Sequence, residues 1–230
     1  KELMLKSSST VPEGSLAYVR EGSNAFLRTP RGWSRLLVLC WDGGGHTLWL
    51  APTNCPSALR LVALNVPLSG DMSGIRGADL QCYRQSQEAR LYGTFRAFLS
   101  APSQDLASIV KRTDRTLPIV NLKGQLLARS WSSLLQSQAG AAPRSPIYTF
   151  SGRNVLTDAL WPRRLTWHGS TLRGGHAQRR DCRGWRSSGP GEGLAAPLGQ
   201  GRLLAGQRHN CSEALAVLCV EVAFPYRHMW

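Results

Sequence analysis

The sequence predicts an α+β fold preceded by a small β unit. After residue 58, short strand-like runs and helical segments alternate irregularly, which favours α+β over a regular parallel sheet. The 230 residues are 42% hydrophobic and include eight Trp, a composition typical of a packed core and unlike that of a disordered chain. Six cysteines, none at the two-residue spacing of a zinc knuckle, indicate disulfides formed in an oxidising compartment.

Residues 1–38 are predicted to form the small β unit. Apolar runs at 16–19, 25–28 and 33–38 are separated by turn-forming residues. A unit this short cannot bury a core by itself, so we expect it to self-associate. Residues 39–58 follow, and their Gly and Pro content is typical of a linker or hinge.

The third segment, 59–230, carries the main domain. Its apolar patterns predict strands at 60–65, 118–122, 147–150, 165–167 and 214–222 and helices at 78–89, 103–112 and 130–136. In the second helix, Ser103 is an N-cap, Asp105 complements the helix dipole, and Leu106, Ile109 and Val110 form one apolar face. The Gly- and Pro-rich stretch 187–197 is predicted to be an exposed loop.

The chain is strongly basic, with 28 Lys and Arg against 14 Asp and Glu and a net charge of +14. Of the bases, 24 are Arg and only 4 are Lys, and the net charge is +2 over residues 1–58 but +12 over 59–230. Guanidinium groups bind sulfate, phosphate or carboxylate in a bidentate manner, so this pattern indicates an anion-binding domain. An Arg-rich codon bias is the alternative explanation.

Secretion is consistent with the sequon at Asn210, Cys211 and Ser212, although this short motif is common by chance. The N-terminus lacks the pattern of a signal peptide, and no apolar run reaches the ~18 to 20 residues of a membrane span. We therefore expect a domain, or a fragment of a longer protein, that does not insert into a membrane.

A series of ordered motifs resembles one known family. Residues 60–82 are similar to the start of endostatin, the C-terminal part of type XVIII collagen and its type XV relative. The likeness continues through 94–100, 104–106, 118–123, 167–170, 201–204 and 217–219. Some motifs look more like type XV and others more like type XVIII, so the parent collagen stays open. Upstream, residues 12–14, 18–19, 27–28 and 32–33 resemble the trimerisation unit of the same collagens.

The resemblance implies a compact fold related to C-type lectins, closed by nested disulfides. The implied pairs are Cys82 with Cys219 and Cys182 with Cys211. Cys40 and Cys55 have no recognised counterpart. They could pair with each other across a short loop, whose closure costs little entropy, or link the chains of a trimer; the first alternative is preferred.

Zinc and calcium are not expected. In type XVIII endostatin, histidines near the start of the domain and an aspartate hold zinc. The corresponding positions here are Leu50, Pro52, Arg60 and Gly124, none of which supplies a usable side-chain ligand. We also find no carboxylate and amide cluster suited to calcium, so no cofactor is predicted.

Heparan sulfate binding is the property that the resemblance best supports. The two arginines most important for it in the family correspond to Arg76 and Arg186. Supplementary positions correspond to Lys111, Arg112 and Arg115, and local charge comes from Arg179, Arg180 and Arg183. Sulfated chains are dense polyanions, and binding releases their counterions. The alternative is that these residues form a solvated face with some stems packed on the core.

No enzymatic activity is predicted. His168 has no defined nucleophile or acid partner in the sequence, so a structural role is preferred. Trp161, Trp167 and Trp185 could stack on nucleic-acid bases beside the arginines, but core packing is the preferred interpretation. The resemblance implies a secreted homotrimer of the extracellular matrix and basement membrane. Its partners would be heparan sulfate, cell-surface adhesion receptors and matrix proteins. A fragment released by cleavage within 39–58 would modulate angiogenesis and cell adhesion. The rival functions are a secreted basic hydrolase and a nucleic-acid-binding protein.

Overall fold

The computed structural model of the chain describes residues 11–19, 24–30, 32–35, 58–91, 93–136, 145–199 and 203–223. The chain divides into two compact units, Lys1–Ser57 and Ala58–Trp230. Among the described residues, no helix combines the length and the apolar character needed to cross a membrane. The predicted pairing of Cys40 with Cys55 lies outside the described residues.

The described part of the first unit is an antiparallel three-stranded meander. Its strands are β1 (Leu16–Val19), β2 (Asn24–Thr29) and β3 (Gly32–Arg35), in spatial order β1-β2-β3. Gly32 has a φ of +119°, a conformation that side-chain-bearing residues rarely adopt, directly after the tight turn between β2 and β3. The three predicted strands are confirmed, except that residues 36–38 are not described.

The second unit contains a five-stranded and a three-stranded sheet, which confirms the α+β prediction. The larger sheet has the order β5-β11-β4-β6-β7 and the smaller the order β10-β9-β8. The strands are β4 (Leu59–Ala63), β5 (Thr94–Ala97), β6 (Ile119–Val120), β7 (Leu126–Ala128), β8 (Leu165–Trp167), β9 (Glu192–Pro197), β10 (Gln207–Asn210) and β11 (Leu218–Ala223). The α-helices are α1 (Gly74–Glu88) and α2 (Trp131–Gln136).

Strands β4 and β11 form the centre of the larger sheet and are buried on both faces. Because side chains alternate across a strand, Leu61 and Val62 enter two different hydrophobic clusters. One cluster includes Trp131 and Trp161, and the other includes Trp167, Trp185 and all four described cysteines. The cysteines pair as Cys82–Cys219 and Cys182–Cys211, as the resemblance implied.

The predicted helix at 103–112 is wrong. The segment contains a 3₁₀ turn, Leu106–Ser108, and a second one, Arg112–Asp114, begins at its end. The backbone N–H of Leu106 donates to Ser100 Oγ, and that of Ala107 donates to the carbonyl of Gly174. The backbone N–H groups near the start of the predicted helix therefore donate to groups outside it instead of to carbonyls within a helix.

The predicted loop at 187–197 is also wrong over its second half. Residues Glu192–Pro197 form β9, the central strand of the smaller sheet. Position 193 of this strand requires glycine, because a Cβ there would come within 2.7 Å of the Trp167 ring. Pro197 is the last residue of the strand and lies opposite Leu165 of β8. The Gly and Pro content that suggested a loop therefore reflects close packing and strand termination.

The remaining differences concern the bounds of elements. Helix α1 begins at Gly74 rather than at 78, and β11 begins at Leu218 rather than at 214. Residues 147–150 form isolated bridges, Ala63 with Thr149 and Tyr148 with Asn154, instead of a strand. Strands β5, β7 and β10 were not predicted; each has only three or four residues, and β7 and β10 have no strong alternating pattern.

Candidate polyanion-binding cleft

An open cleft of about 780 Å³ lies between the start of α1 and the segment before β9. Four of the predicted arginines line it: Arg76, Arg179, Arg183 and Arg186. All four are exposed. Within the described part of the chain, their guanidinium groups take part in no hydrogen bond or ion pair, so their donors are available to a ligand.

Arg76 and Arg186 reach the cleft from distant parts of the sequence. Arg76 lies in the first turn of α1, and Arg186 directly follows a tight turn at Cys182–Trp185. The N–H of Met72 donates to the Trp185 carbonyl at 3.0 Å, and Asp71 forms a β-bridge with Arg186. These backbone contacts place the start of α1 beside the turn.

Gly74 sets the distance between the helix and the Arg186 side chain. Its φ is +75°, and a Cβ built on it would lie 3.0 Å from Cζ of Arg186 and 3.1 Å from Nε. The guanidinium therefore rests against the backbone at the first residue of α1. This close approach requires a residue without a side chain.

The turn at Cys182–Trp185 is held by buried anchors. Its residues have unusual positive φ values, 49° at Cys182, 59° at Arg183, 69° at Gly184 and 62° at Trp185. Such conformations persist only where the surroundings impose them. Here the disulfide to Cys211 fixes one end, and Trp185 Nε1 donates to the Ser100 carbonyl at 2.7 Å at the other.

The acids at the cleft are already paired with bases. Asp181 is buried and lies 2.8 Å from Nε2 of His176, and Glu192 forms an ion pair with Arg180. Arg180 is consequently half-buried, points to its carboxylate partner and does not line the cleft. His176 and Asp181 were not singled out from the sequence, where no spacing signal marks them.

The supplementary bases Lys111, Arg112 and Arg115 do not line the cleft. Lys111 and Arg112 are exposed at the start of the 3₁₀ turn Arg112–Asp114. Arg115 is half-buried, and its Nε donates to the Val110 carbonyl at 3.1 Å, so part of its donor capacity serves the fold. The predicted set of eight is thus divided into four residues at the cleft and four elsewhere.

The three tryptophans near the arginines pack in the core. Trp161, Trp167 and Trp185 are all buried, and the rings of Trp167 and Trp185 are 5.8 Å apart between centroids. Trp167 Nε1 donates to the Leu68 carbonyl at 2.9 Å. Core packing is therefore confirmed, and these rings offer no exposed face for stacking on bases.

The residues at the family's zinc positions do not fit the metal. Arg60 forms an ion pair with Glu221, and a guanidinium does not ligate zinc. Gly124 has no side chain, and Leu50 and Pro52 lie outside the described residues. In the described ranges, no group of three or more His, Cys, Asp or Glu is arranged to hold a metal ion.

His168 is buried beside two serines but is not arranged for catalysis. The N–H of Ser170 donates to Nδ1 of His168 at 3.0 Å, and the hydroxyls of Ser170 and Ser100 are 2.5 Å apart. Burial lowers the pKa of His168 to about 4, with backbone hydrogen bonding opposing this effect. The imidazole accepts a backbone bond, and both hydroxyls are buried, so no substrate-accessible nucleophile and base pair forms here.

Comparisons with known proteins match both units. The family described as "Collagenase NC10 and Endostatin" matches residues 59–225, which is more than half of the chain. The chain belongs to the endostatin family. The collagen trimerization domain matches residues 1–39, ahead of the endostatin domain. The chain thus contains a collagen trimerization domain followed by an endostatin domain.

A similar curated protein is the human collagen alpha-1(XVIII) chain. It is 48% identical to this chain over 169 residues, which cover 72% of this chain and 10% of the collagen. The chain therefore spans only a small part of the length of that relative. Within the endostatin domain, the arginine cleft is the site whose geometry suits the binding of anions.

Proposed function

We propose that this protein is part of an extracellular matrix collagen and that its endostatin domain binds heparan sulfate through the arginine cleft. The main support for heparan sulfate binding is that four arginines line one cleft: Arg76, Arg179, Arg183 and Arg186. Among the described residues, their guanidinium groups have no hydrogen-bond or ion-pair partner. Sulfate groups offer the clustered oxygens that guanidinium donors match. The function is binding, and no catalytic role is proposed.

The arrangement favours a polymer over a small anion. The cleft is open, and its four exposed arginines come from both of its walls, so one flexible chain can contact several of them. Of the nearby acids, Glu192 is neutralised by Arg180 and Asp181 is buried against His176, so they offer less repulsion to an incoming anion. Lys111 and Arg112 would add a second, weaker contact for a longer chain.

Elution from heparin at rising salt tests this proposal. R76A/R186A should elute at clearly lower salt than the parent, and the salt dependence should become shallower by about one or two counterions. The control R129A/R153A removes the same charge from two exposed arginines that do not line the cleft. Equal elution of the two double variants would contradict the proposal.

Two further columns separate the rival functions. A plain cation exchanger of equal charge density measures retention from net charge alone, and immobilised single-stranded DNA measures nucleic-acid binding. A heparin-specific site predicts that R76A/R186A loses retention mainly on heparin. Equal losses on all three columns would favour a general polyanion binder over a glycosaminoglycan site.

The N-terminal unit is proposed to form a homotrimer. The match to a collagen trimerization domain supports this, as does a three-stranded sheet too small to bury a core alone. We propose the boundaries 1–38 for this unit, 39–58 for the linker and 59–230 for the endostatin domain. Sedimentation of 1–230 should give a trimer and that of 59–230 a monomer; two monomers would contradict the assignment.

The endostatin domain is further proposed to act on cells after cleavage in the linker. Release would let a basic, heparan-sulfate-binding domain reach adhesion receptors and modulate angiogenesis in the basement membrane. If Cys40 and Cys55 pair, a cut between them would leave the domain tethered until the disulfide is reduced. Gel analysis of cleaved protein with and without reductant tests this tether.

The relation of the endostatin domain to the C-type lectin fold stays a prediction.

A further inference from the structure

We propose that Asn210 carries an N-linked glycan at the rim of the arginine cleft and that this glycan restricts access of sulfated polysaccharides. The proposal rests on the extracellular location proposed above, because N-glycosylation requires passage through the secretory pathway. The acceptor sequence is Asn210, Cys211 and Ser212.

The folded protein leaves the acceptor nitrogen accessible. Asn210 is exposed at the end of β10, an edge strand of the smaller sheet. Its Oδ1 accepts hydrogen bonds from the N–H and the hydroxyl of Ser212, both at 3.1 Å. Among the described residues, its Nδ2 donates no hydrogen bond. A glycan on Nδ2 would therefore displace no internal bond.

The register of the sheet directs this side chain toward the arginine cleft. Asn210 lies directly opposite Glu192 on β9. Directly opposed residues of an antiparallel pair extend from the same face, with Cβ atoms about 5 Å apart. Glu192 lines the cleft and pairs with Arg180, so Asn210 extends from the surface that carries this ion pair.

The neighbouring backbone brings the site to the edge of the same cleft. Cys211 lines the cleft, and its N–H donates to the carbonyl of Gly191, another lining residue, at 3.1 Å. The Cys182–Cys211 disulfide ties this edge to the turn that carries Arg183 and Arg186. A bulky, hydrated glycan here would occupy the volume in which a long sulfated chain leaves the cleft.

The modification is a glycosyl transfer. The co-reactant is an oligosaccharide linked to a lipid diphosphate, delivered by the cell's oligosaccharyltransferase. A bond forms between Nδ2 of Asn210 and the anomeric carbon as the bond from that carbon to the diphosphate oxygen breaks. The lipid diphosphate leaves with the electron pair, and a base of the transferase takes the amide proton.

Secretion of residues 1–230 from mammalian cells behind an appended signal peptide tests the site. Intact mass should show one N-glycan in the parent, with equal or higher occupancy in S212T. N210Q and S212A should lack it, whereas S188A, a change at an exposed serine outside the sequon, should retain it. Absence of the glycan from both the parent and S212T would overturn the assignment.

Heparin elution of the same glycoforms tests the effect on the cleft. With neutral oligomannose glycans, which carry no sialic acid, the glycosylated parent should elute at lower salt than protein trimmed to one sugar by an endoglycosidase, because trimming then changes the size of the glycan and not its charge. Equal elution would overturn the proposed restriction. If no glycoform binds heparin beyond its charge, the proposed function fails, but the mass measurement still decides whether Asn210 is modified.

Discussion

Arg60 on β4 and Glu221 on β11 form a bidentate ion pair within the central sheet. Nε and Nη2 of Arg60 lie 2.7 and 2.8 Å from the two carboxylate oxygens. The Glu221 side chain is fully buried, and the guanidinium carbon lies 5.7 Å from the Phe95 ring centroid. Arg60, which the family resemblance aligns with a zinc position, thus neutralises a buried carboxylate on the neighbouring strand.

Removing one partner of this pair should destabilise the protein strongly. R60A leaves the Glu221 carboxylate buried without its cation, and we expect a loss of about 3 to 5 kcal/mol in the free energy of unfolding. The double change R60M/E221L should be less destabilising than R60A alone. Urea unfolding of the three proteins measures this, because unfolding midpoints report stability when slopes are equal.

The more exposed pair of Arg96 and Asp79 provides the control for that series. Its side chains are 38% and 24% exposed, so R96A should cost only about 1 kcal/mol, the upper end for solvent-exposed pairs. Similar losses in the free energy of unfolding for R60A and R96A would show that the burial of the Glu221 carboxylate does not determine the cost of removing Arg60.

Gly74→Ala should weaken heparin binding through the position of Arg186. The new Cβ would collide with the guanidinium and strain a backbone with φ +75°. Gly152→Ala is the matched control, because its φ is +84° and a Cβ there would meet nothing within 4 Å. Both should lose about 1 to 2 kcal/mol of stability, and only Gly74→Ala should elute earlier from heparin. Identical elution would mean that Gly74 does not position Arg186.

The two disulfides should contribute differently to stability and binding. Cys82–Cys219 spans 137 residues and Cys182–Cys211 spans 29. Loop-closure entropy assigns them about 5 and 3.6 kcal/mol, respectively. C82A/C219A should therefore melt at the lower temperature. At a temperature where both variants are folded, C182A/C211A should show the larger loss of heparin retention. This variant lacks the disulfide that anchors the turn at Cys182–Trp185, which Arg186 directly follows. The reverse order of retention would argue against that anchoring.

His168 should make the protein sensitive to mild acid. Because burial lowers its folded-state pKa to about 4 from an ordinary value of 6.5, folding favours the neutral imidazole. The contribution of neutral His168 to the free energy of unfolding is complete above about pH 6.5. It falls by up to about 3 kcal/mol as the pH is lowered toward 4. H168N keeps an acceptor for the Ser170 N–H but does not titrate in this range. Stability curves of parent and H168N that stay parallel from pH 7 to 4 would contradict this.

Local sequence patterns were informative where structure follows from neighbouring residues. The strands of the first unit, β8 and α2 were predicted because short apolar runs bounded by Gly, Pro or Ser carry a local signal. The 3₁₀ turns after Ser103 and strand β9 could not be predicted this way. Their hydrogen-bond partners and packing neighbours, such as Gly174 and Trp167, lie far along the chain.

The residues alone established the net charge, its Arg character, its concentration after residue 58 and the family motif that contains Arg76, and the resemblance singled out Arg186 by its position. Tertiary structure decided which arginines act together. The Cys182–Cys211 disulfide and the left-handed turn at Cys182–Trp185 bring Arg183 and Arg186 to the start of α1, where Arg179 lines the same cleft. The guanidinium of Arg180 instead forms an ion pair with Glu192. Charge is a property of each side chain, but the availability of its donors depends on every group that folding places beside it.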